Sequence, residues 1–452
     1  RLLAETAALW TLIPERYLIA MLQTAIRFGV WVAEMAILSS VIQLALALPM
    51  AIYFHRLSIT GVTANLAVVP LMNALVPIGF AAIFTGWRPL AALARLCLKG
   101  AAWVAAWHAQ WEPAHRIPDP PLWLAIALTA ALVAVGVAVR MRSRWVQKTL
   151  AVAFALLAAL VIAPFPPEVR RGVLELSAID VGQGDGVLLT TPDGRVLLID
   201  SGGFPPYGRK KKPNIDIGED VISPYLWTRR IQHADVIVTT HAHEDHVGGL
   251  KALIANFSPQ EIWTGVVADD SVETPDLKAA QAAGVRILER LAGETFYFGG
   301  ARFEVLAPSP DRESNPRRLN NDSLALRVSY GRHSFLLTGD LEREVEYELL
   351  SRGVLAKTTV LKVAHHGSKT SSTPDFLDAT QPEFAVISAG YLNMFRLPHR
   401  DVLDRLAERH ADVLRTDRDG LITIRSDGRR ITVQTMDRDF ADRRFAEPFQ
   451  AW

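Results

Sequence analysis

A run of histidines and acidic residues directly after an apolar segment is the part of this sequence best suited to chemistry. The eight residues Thr239–His246 read TTHAHEDH and follow a predicted strand. Imidazoles and carboxylates at this density suit zinc, or manganese where more oxygens join. From an extended chain His241 and His243 can reach one ion, while Asp245 and His246 can reach a second. The alternative interpretation is a polar loop that merely happens to be rich in histidine.

Further ligand-type residues follow other predicted strands in the second half of the chain. Asp200, Asp340 and the pair His365 and His366 each come directly after an apolar segment. A single Asp at such a position is often only a helix cap. Sites in open α/β layers, however, are built at the edge where strands end. Four coincident strand ends therefore predict one shared site.

A glycine-rich turn precedes all of these segments. Gly182-Gln183-Gly184-Asp185-Gly186 lies between a predicted strand, Val173 to Val181, and a second one that opens at Gly186. Such a loop could cradle a phosphate, but no Gly-Lys-Ser/Thr and no helix follow it. We therefore favour a hairpin turn that lets the backbone approach a site closely.

The elements that must position these residues divide into two unlike parts. At 452 residues the chain exceeds the usual length of one hydrophobic core, so two or more domains are expected. Before about residue 165, apolar segments of membrane-spanning length recur. From residue 172, strands alternate with helices, which predicts a mixed α/β domain. The net charge of +1 means that any nucleic-acid contact must be local, and the lone Cys97 excludes a disulfide within the chain.

About five membrane spans are predicted within residues 1–163. The candidates are Phe28 to Phe54, Val62 to Gly86, Leu90 to Trp107, Leu122 to Val139 and the shorter Thr149 to Ala163. Pro70 and Pro77 predict that the second candidate is a kinked or discontinuous helix, either lining a cavity or relieved by packing.

The basic residues around the last span predict its orientation. The loop from Arg140 to Lys148 carries four basic residues, which places it in the cytoplasm. If the last span crosses the membrane once, the following domain lies outside the cytoplasm. The positive charges of Arg170 and Arg171, just after that span, favour the opposite orientation. Residues 164–171 are predicted to be a stiff, proline-rich linker, residues 172–435 a domain and residues 436–452 a tail. The first residue is Arg1 and no signal-peptide pattern precedes the apolar segments, so we expect the chain to be a fragment of something longer at its N-terminus.

Over residues 172–435 the sequence resembles the metallo-β-lactamase superfamily. The resemblance is carried by the Thr-His-x-His-x-Asp-His string, by Asp-Ser-Gly-Gly at 200–203, by Thr-Gly-Asp at 338–340 and by the later histidine. More narrowly, the segments 180–185 and 360–368 are similar to the C-terminal domain of competence proteins of the ComEC type. The apolar part resembles the membrane-channel domain of that family. This resemblance implies a multispan α-helical membrane domain followed by an αββα sandwich, with the family's N-terminal region, including an OB-like domain, missing here.

The resemblance also implies roles for individual residues around two divalent ions, Zn²⁺ or Mn²⁺. The expected metal ligands are His241 and His243 for the first ion, Asp245 with His246 and one of the later histidines for the second, and Asp340 bridging both. Of the later pair we expect His365 to be the ligand, because it lies nearer the end of its strand. The catalytic candidates are Asp245, His366 and His399. Residues expected to support the ligands from behind are Asp200, Gln183, Asn320 and Asn321.

Two of these assignments leave alternatives open. The superfamily usually supplies a further histidine between the cluster and the bridging Asp, but the corresponding stretch here is Leu319-Asn320-Asn321-Asp322-Ser323. Either one of the two asparagines is a weak oxygen ligand, which favours manganese, or the first site is loose. His399 either contributes to substrate binding or proton transfer, or is a surface histidine flanking a helix.

One basic run is a candidate for contact with DNA. It consists of Arg209, Lys210, Lys211 and Lys212. Such a run can steer a phosphate backbone toward the metals. It can equally be a solvated loop.

The function that the resemblance implies is DNA uptake across the inner membrane. Two bridged divalent ions activate water and stabilise developing negative charge. The domain would then be a nuclease that degrades the strand that is not transported. The implied partners are single- and double-stranded DNA, the membrane, other competence proteins and a second copy of the chain. The alternatives are a channel with a catalytically weak, DNA-guiding domain, and a membrane-anchored hydrolase of thioesters or lactams.

Overall fold

The chain folds as two compact units that meet inside the predicted linker. The computed structural model describes residues 15–112, 116–204, 215–266, 274–311 and 319–436. The first unit is Arg1–Phe165 and the second is Pro166–Trp452. The residues directly after the boundary already belong to the second unit, since the Glu168 amide donates to the carbonyl of Arg229 at 2.8 Å. The structural boundary is therefore sharper than the predicted linker 164–171.

Helices make up the described part of the first unit. They are α1 (Glu15–Phe54), α2 (Gly61–Thr85), α3 (Arg88–Ala109), α4 (Leu122–Arg140) and α5 (Val146–Ile162). By length and composition α1 to α4 are able to cross a membrane, whereas α5, with 17 residues, is shorter. Large apolar side chains along them, such as Phe84 and Ile162, are exposed. Such a surface suits a lipid environment, in which only helices or closed barrels satisfy their own backbone.

Two helices of this unit differ in detail from the sequence prediction. Helix α1 already includes Glu15, the first residue that the structure describes, so it extends well before Phe28, because the polar residues before Phe28 limit a membrane span but do not stop a helix. Helix α2 continues through both Pro70 and Pro77, so the predicted discontinuity is not observed.

Two stacked sheets form the second unit. The strands of the first sheet are β1 (Leu174–Ala178), β2 (Val187–Thr190), β3 (Val196–Ile199), β4 (Val236–Thr239), β5 (Glu261–Thr264), β6 (Arg286–Glu289), β14 (Ile422–Ser426) and β15 (Ile431–Thr435). Those of the second are β7 (Thr295–Phe298), β8 (Ala301–Ala307), β9 (Ala325–Tyr330), β10 (His333–Leu337), β11 (Val360–Lys362), β12 (Phe384–Ile387) and β13 (Asp412–Arg415). Their orders are β15-β14-β1-β2-β3-β4-β5-β6 and β13-β12-β11-β10-β9-β8-β7.

Helices cover the outer faces of both sheets. They are α6 (Ser223–Thr228), α7 (Glu244–Val247), α8 (Leu250–Phe257), α9 (Thr274–Ala282), α10 (Arg343–Ser351), α11 (Pro374–Thr380), α12 (Arg400–Glu408) and α13 (Thr416–Asp419). The inner core between the sheets contains Trp263, Phe303 and Phe335, all fully buried. Separate apolar clusters lie under the helices, around Phe257 on one side and Phe376 on the other. This arrangement is the αββα sandwich that was predicted.

Parallel pairing explains why the candidate residues meet. Strands β3 to β6 run parallel to one another, and so do β10 to β13. All four residues of β4 are buried, as expected for a strand that is covered on both faces. Residues that follow such strands emerge at a common edge, where the chain is free to supply polar side chains.

Candidate metal centre

The ligand-type residues predicted from the sequence lie together at the carboxyl ends of the parallel strands. Asp200 follows β3, Asp340 follows β10 by two residues, and His366 lies in the turn after β11. The His241–His246 segment follows β4 and leads into the short helix α7. Segments distant in sequence therefore supply one centre.

Asp340 is in the middle of the centre. Its Oδ2 lies 3.3 Å from His246 Nε2 and 3.9 Å from His241 Nε2. The same oxygen lies 3.5 Å from His366 Nε2, on the other side. His366 Nε2 is also 3.7 Å from Asp245 Oδ2. Two groups are able to hold a metal: His241 with His246 and Asp340, and Asp245 with His246 and His366. The groups share His246, and Asp340 contacts His366 of the second group.

The polar atoms that face this space lack hydrogen-bond partners. Among the described residues, His246 Nε2, His366 Nε2 and Asp340 Oδ1 are buried without one. Buried polar atoms in folded proteins are almost always hydrogen-bonded. Histidine nitrogens and a carboxylate that converge without partners form a donor set that zinc or manganese accepts. The residues present therefore fit divalent metal ions.

Asp200 sets the orientation of His246. Its Oδ2 lies 2.8 Å from His246 Nδ1, and its Oδ1 accepts the Thr240 amide at 2.8 Å. The His246 Nδ1–H therefore points to a carboxylate, which leaves Nε2, on the side of Asp340, as the nitrogen available to an ion. Asp200 has a left-handed backbone, with φ of 59°, and is buried. These contacts agree with the supporting role predicted for this residue.

His366, rather than His365, faces the two carboxylates. His366 is buried, and its Nδ1 contacts the carbonyl of Ser388 at 3.1 Å. His365 is partly exposed, with Nδ1 3.3 Å from Glu342 Oε1 and Nε2 4.0 Å from Asp340 Oδ2. The preference for His365 as the ligand is thus not supported by the geometry.

The local backbone explains why His366, and not His365, faces the two carboxylates. His365 and His366 both adopt left-handed conformations, with φ of 50° and 53°, and Gly367 follows with φ of 79°. Non-glycine residues in this region are strained, and strain of this kind clusters at functional sites. The tight turn directs the second histidine inward. Distance from the strand end, on which the sequence prediction relied, does not decide the ligand here.

His243 contacts the centre through His241. The Nδ1 of His243 lies 2.9 Å from His241 Nε2, and the His243 side chain is half-buried. This hydrogen bond joins the two rings, and a ligand role for His241 Nε2 requires it to be replaced by an ion. Metal binding by His243 therefore remains a proposal.

An acidic residue and a lysine behind His366 escaped the sequence analysis as site residues. Asp185 Oδ1 is 3.5 Å from His366 Nδ1, and its Oδ2 is 2.8 Å from Lys362 Nζ. Both residues are buried. Lys362 lies in β11 among buried apolar residues. In the sequence, a charged residue within an apolar strand was the available sign that it belongs to the site. The pair places a negative charge close to His366 Nδ1, beside the Ser388 carbonyl that this nitrogen contacts.

Replacing Lys362 by methionine is expected to destabilise the second unit strongly. Lys362→Met leaves the buried Asp185 carboxylate without its cation, a change that costs about 3–5 kcal/mol in buried pairs. Denaturant unfolding of the purified chain measures the difference. Lys357→Met is the matched control, because Lys357 is exposed and its ion pair with Glu383 is long, at 4.0 Å. Equal stability of the two variants would contradict the assignment.

The glycine loop approaches the centre through its backbone, as predicted. A Cβ on Gly184 would lie 2.2 Å from the Asp245 carbonyl oxygen, and Gly184 has φ of 126°. The Asp185 amide donates to the same carbonyl at 3.2 Å. Gln183 Oε1 accepts the Gly390 amide at 3.3 Å, so the predicted support of the ligands by this side chain stays a prediction. The loop therefore fixes the turn that carries Asp245.

The two asparagines differ in what their oxygens can do. Asn321 Oδ1 accepts the Glu342 amide at 3.0 Å, so it is already engaged. Asn320 Oδ1 is buried without a hydrogen-bond partner, while its Nδ2 lies 3.4 Å from His365 Nδ1. Of the two, Asn320 is thus the better candidate for a weak oxygen ligand.

The remaining predicted residues lie at the periphery or outside the described part. The His399 side chain caps α12, because its Nδ1 accepts the Asp401 amide at 3.3 Å. Its amide donates to the Gly367 carbonyl at 2.8 Å, so only its backbone contacts the centre's turn. The basic run Arg209, Lys210, Lys211 and Lys212 and most of the predicted tail lie outside the described residues.

Mutual charge compensation governs the ionisation of the centre. Burial alone would lower the pKa of His366, but the carboxylates of Asp340 and Asp185 outweigh it and raise the pKa to about 10. The pKa of His246 is likewise raised well above its usual value, against burial, by Asp340 and Asp200. Against burial, His366 and His246 lower the pKa of Asp245 to about 2. The Asp245 carboxylate is thus ionised because positive charge lies close to it, and a divalent cation at this position would supply that charge as well.

Comparison with known families agrees with both halves of the structure. Residues 179–391 match the profile of the Metallo-beta-lactamase superfamily, and residues 6–142 match that of the Competence protein family. The chain therefore consists of a Competence-family membrane segment followed by a metallo-β-lactamase superfamily domain. The predicted resemblance is confirmed.

Individual relatives extend over both halves. ComE operon protein 3 of Bacillus subtilis is 33% identical over 414 residues, which cover 87% of this chain and 52% of that protein. Competence protein ComA of Neisseria gonorrhoeae is 28% identical over 410 residues, covering 88% of this chain and 51% of that protein. The chain thus spans about half the length of the curated relatives it matches.

A solved structure gives a weaker likeness. The metallo-beta-lactamase fold protein YhfI from Bacillus subtilis is 14% identical, with a TM-score of 0.34, over 54% of this chain and 95% of that protein. At this level the likeness carries no argument.

Proposed function

We propose that the chain is part of an inner-membrane DNA-uptake protein and that its second unit is a metal-dependent nuclease acting on the strand that is not transported. The observation that carries the proposal is Asp340, whose carboxylate lies between two groups of potential metal ligands. The competence proteins among its relatives support DNA as the substrate.

We assign the residues of the centre to two ions. His241, His246 and Asp340 would hold the first, and Asp245, His366 and Asp340 the second. His243 and Asn320 are further candidates for the first. Zn²⁺ or Mn²⁺ in such a pair supplies an activated water and positive charge against a phosphate.

The supporting residues fix the ligand geometry before substrate binds. Asp200 holds His246 through Nδ1, while the Ser388 carbonyl contacts Nδ1 of His366 and the Asp185 carboxylate lies 3.5 Å from the same nitrogen. Preformed ligand orientation reduces the reorganisation that catalysis requires.

We further propose that the second unit lies outside the cytoplasm. The loop between α4 and α5 carries Arg140, Arg142, Arg144 and Lys148, and short basic loops stay in the cytoplasm. A single crossing by α5 then exports the following domain. A reporter enzyme fused after Arg171 is expected to be active only outside, and activity only in the cytoplasm would reverse the orientation.

The nuclease proposal is tested on the purified full chain. Labelled single- and double-stranded DNA is incubated with the chain and Mn²⁺ or Zn²⁺, and products are separated by length. We expect cleavage that requires the metal and is lost on chelation. A thioester or a lactam, offered in parallel, is expected to remain intact.

The outcome distinguishes the competing functions. Tight DNA binding without cleavage in any divalent ion would select a DNA-guiding domain, for which Asn320, in place of the superfamily's usual histidine, is the structural argument. Hydrolysis of the thioester or lactam with indifference to DNA would select a small-molecule hydrolase.

A further inference from the structure

A loop with exposed aromatic and apolar side chains borders the metal centre. It spans residues 390–398, between β12 and α12. Tyr391 is 76% exposed and Leu392 is 83% exposed, and Met394 is also exposed. The charged Arg396 lies among them, exposed as well. Large apolar side chains at a loop tip beside a polar centre are costly in water and indicate a surface that binds something.

Both ends of this loop are attached to the centre. At its start, Gly390 packs against Gln183 of the glycine loop, two residues after the Ser388 carbonyl that contacts His366. At its end, the His399 amide donates to the Gly367 carbonyl, the residue after His366. Tyr391 is therefore one residue from a contact with the loop that carries Asp185.

Hydrogen bonds within the loop hold its shape. Asn393 Nδ2 donates to the carbonyls of Gly390 and Leu397, at 2.9 and 2.6 Å, and Asn393 Oδ1 accepts the Leu397 amide at 3.0 Å. Leu392 and Arg396 have left-handed backbones, with φ of 49° and 57°. The loop that carries the exposed side chains is thus ordered. Its position is fixed by the contacts of its two ends with the metal centre.

We propose that this loop is a stacking platform for unpaired bases of the DNA strand that enters the metal centre, with Tyr391 as the stacking residue and Arg396 as a phosphate contact. The inference rests on the proposed nuclease function and specifies its substrate as single-stranded. Aromatic rings beside cationic groups are the means by which proteins bind single strands, because every base has a π-face and every linkage a charge. A duplex hides its base faces and cannot use such a platform.

The test is binding of hydrolysis-resistant phosphorothioate strands to the purified full chain with Mn²⁺, measured by fluorescence anisotropy. One strand carries bases and the other, of equal length, is abasic. Tyr391→Ala is expected to weaken binding of the base-bearing strand roughly 5- to 100-fold, the range for one stacked base. Binding of the abasic strand is expected to be unchanged, and Tyr391→Phe to retain the wild-type affinity.

Tyr297→Ala is the matched control. Tyr297 is 77% exposed on β7, at the far edge of the second sheet, and is expected to have no effect. If Tyr391→Ala binds the base-bearing strand with unchanged affinity, the loop is not a stacking platform. Its exposed side chains would then be a binding surface for a protein or a lipid. Equal losses for both strands, or no binding by the wild-type chain, also overturn it.

Cleavage separates this inference from the proposed function. With cleavable single strands, Tyr391→Ala is expected to raise KM and to change kcat much less, since a stacking residue holds the strand and supplies no ligand to the ions. Base-dependent binding without cleavage by the wild-type chain would retain the platform and reject the nuclease. If the wild-type chain cleaves DNA and Tyr391→Ala changes neither KM nor kcat, the nuclease is retained and the platform is rejected.

Discussion

Asp340→Asn is expected to abolish DNA cleavage, with a loss on the order of 10³-fold or more. The carboxylate at this position lies within 4.0 Å of nitrogens from His241, His246, His365 and His366. Asparagine keeps the shape but not the charge that joins two cations. Several kcal/mol of transition-state stabilisation depend on a two-ion centre, and each 1.4 kcal/mol is tenfold in rate.

The matched control for this substitution is Asp404→Asn. Asp404 is exposed on α12 and pairs with Arg400 at 3.7 Å, a surface contact that contributes little. Its removal is expected to leave cleavage and metal content unaltered. If Asp340→Asn retained even a tenth of the wild-type rate while folded, the bridging role would be wrong.

His366→Ala is expected to reduce cleavage at least about 100-fold, whereas His365→Ala reduces it less than about 10-fold. His366 is buried against Asp340 and Asp245, so its loss removes the imidazole nitrogen that is proposed to hold an ion between these two carboxylates. His365 lies at the rim beside Glu342 and Thr370, where it orients polar neighbours. Steady-state cleavage rates of the two variants, at saturating metal, give the comparison.

The adjacent pair provides its own control, because the two variants remove the same side chain from neighbouring positions. Metal content should fall in His366→Ala and persist in His365→Ala. The reverse order would restore the sequence-based preference for His365. It would also mean that the turn rearranges when metal binds.

The histidine-rich segment and the strand-end acids were predictable from residue types alone. Apolar runs of strand length that end in Asp200, His241 and Asp340 leave few alternatives to a shared edge, because parallel strands place such residues together. Length and polarity separated the membrane unit from the α/β unit equally well, since membrane-spanning helices are continuous apolar segments.

The choice between His365 and His366 was not predictable. It depends on consecutive left-handed residues, which the sequence suggests only through Gly367. The Asp185–Lys362 pair was hidden for a different reason. Its members are far apart in sequence, and a buried lysine is recognised only when its acidic partner is seen beside it.

The base platform was invisible for a related reason. Tyr391 and Leu392 belong to an ordinary apolar stretch in the sequence, and nothing there shows that they are exposed. Their importance comes from the ends of the loop, which the structure attaches to Gln183 and Gly367.

The most direct test of the metal centre is the metal content of the purified full chain. After loading with Mn²⁺ or Zn²⁺ and removal of free ions, elemental analysis is expected to find two ions per wild-type chain and at most one in Asp340→Asn. The Asp404→Asn variant should again hold two. A wild-type chain that retains no ion, or an Asp340→Asn variant that retains both, would contradict a two-metal centre bridged by Asp340.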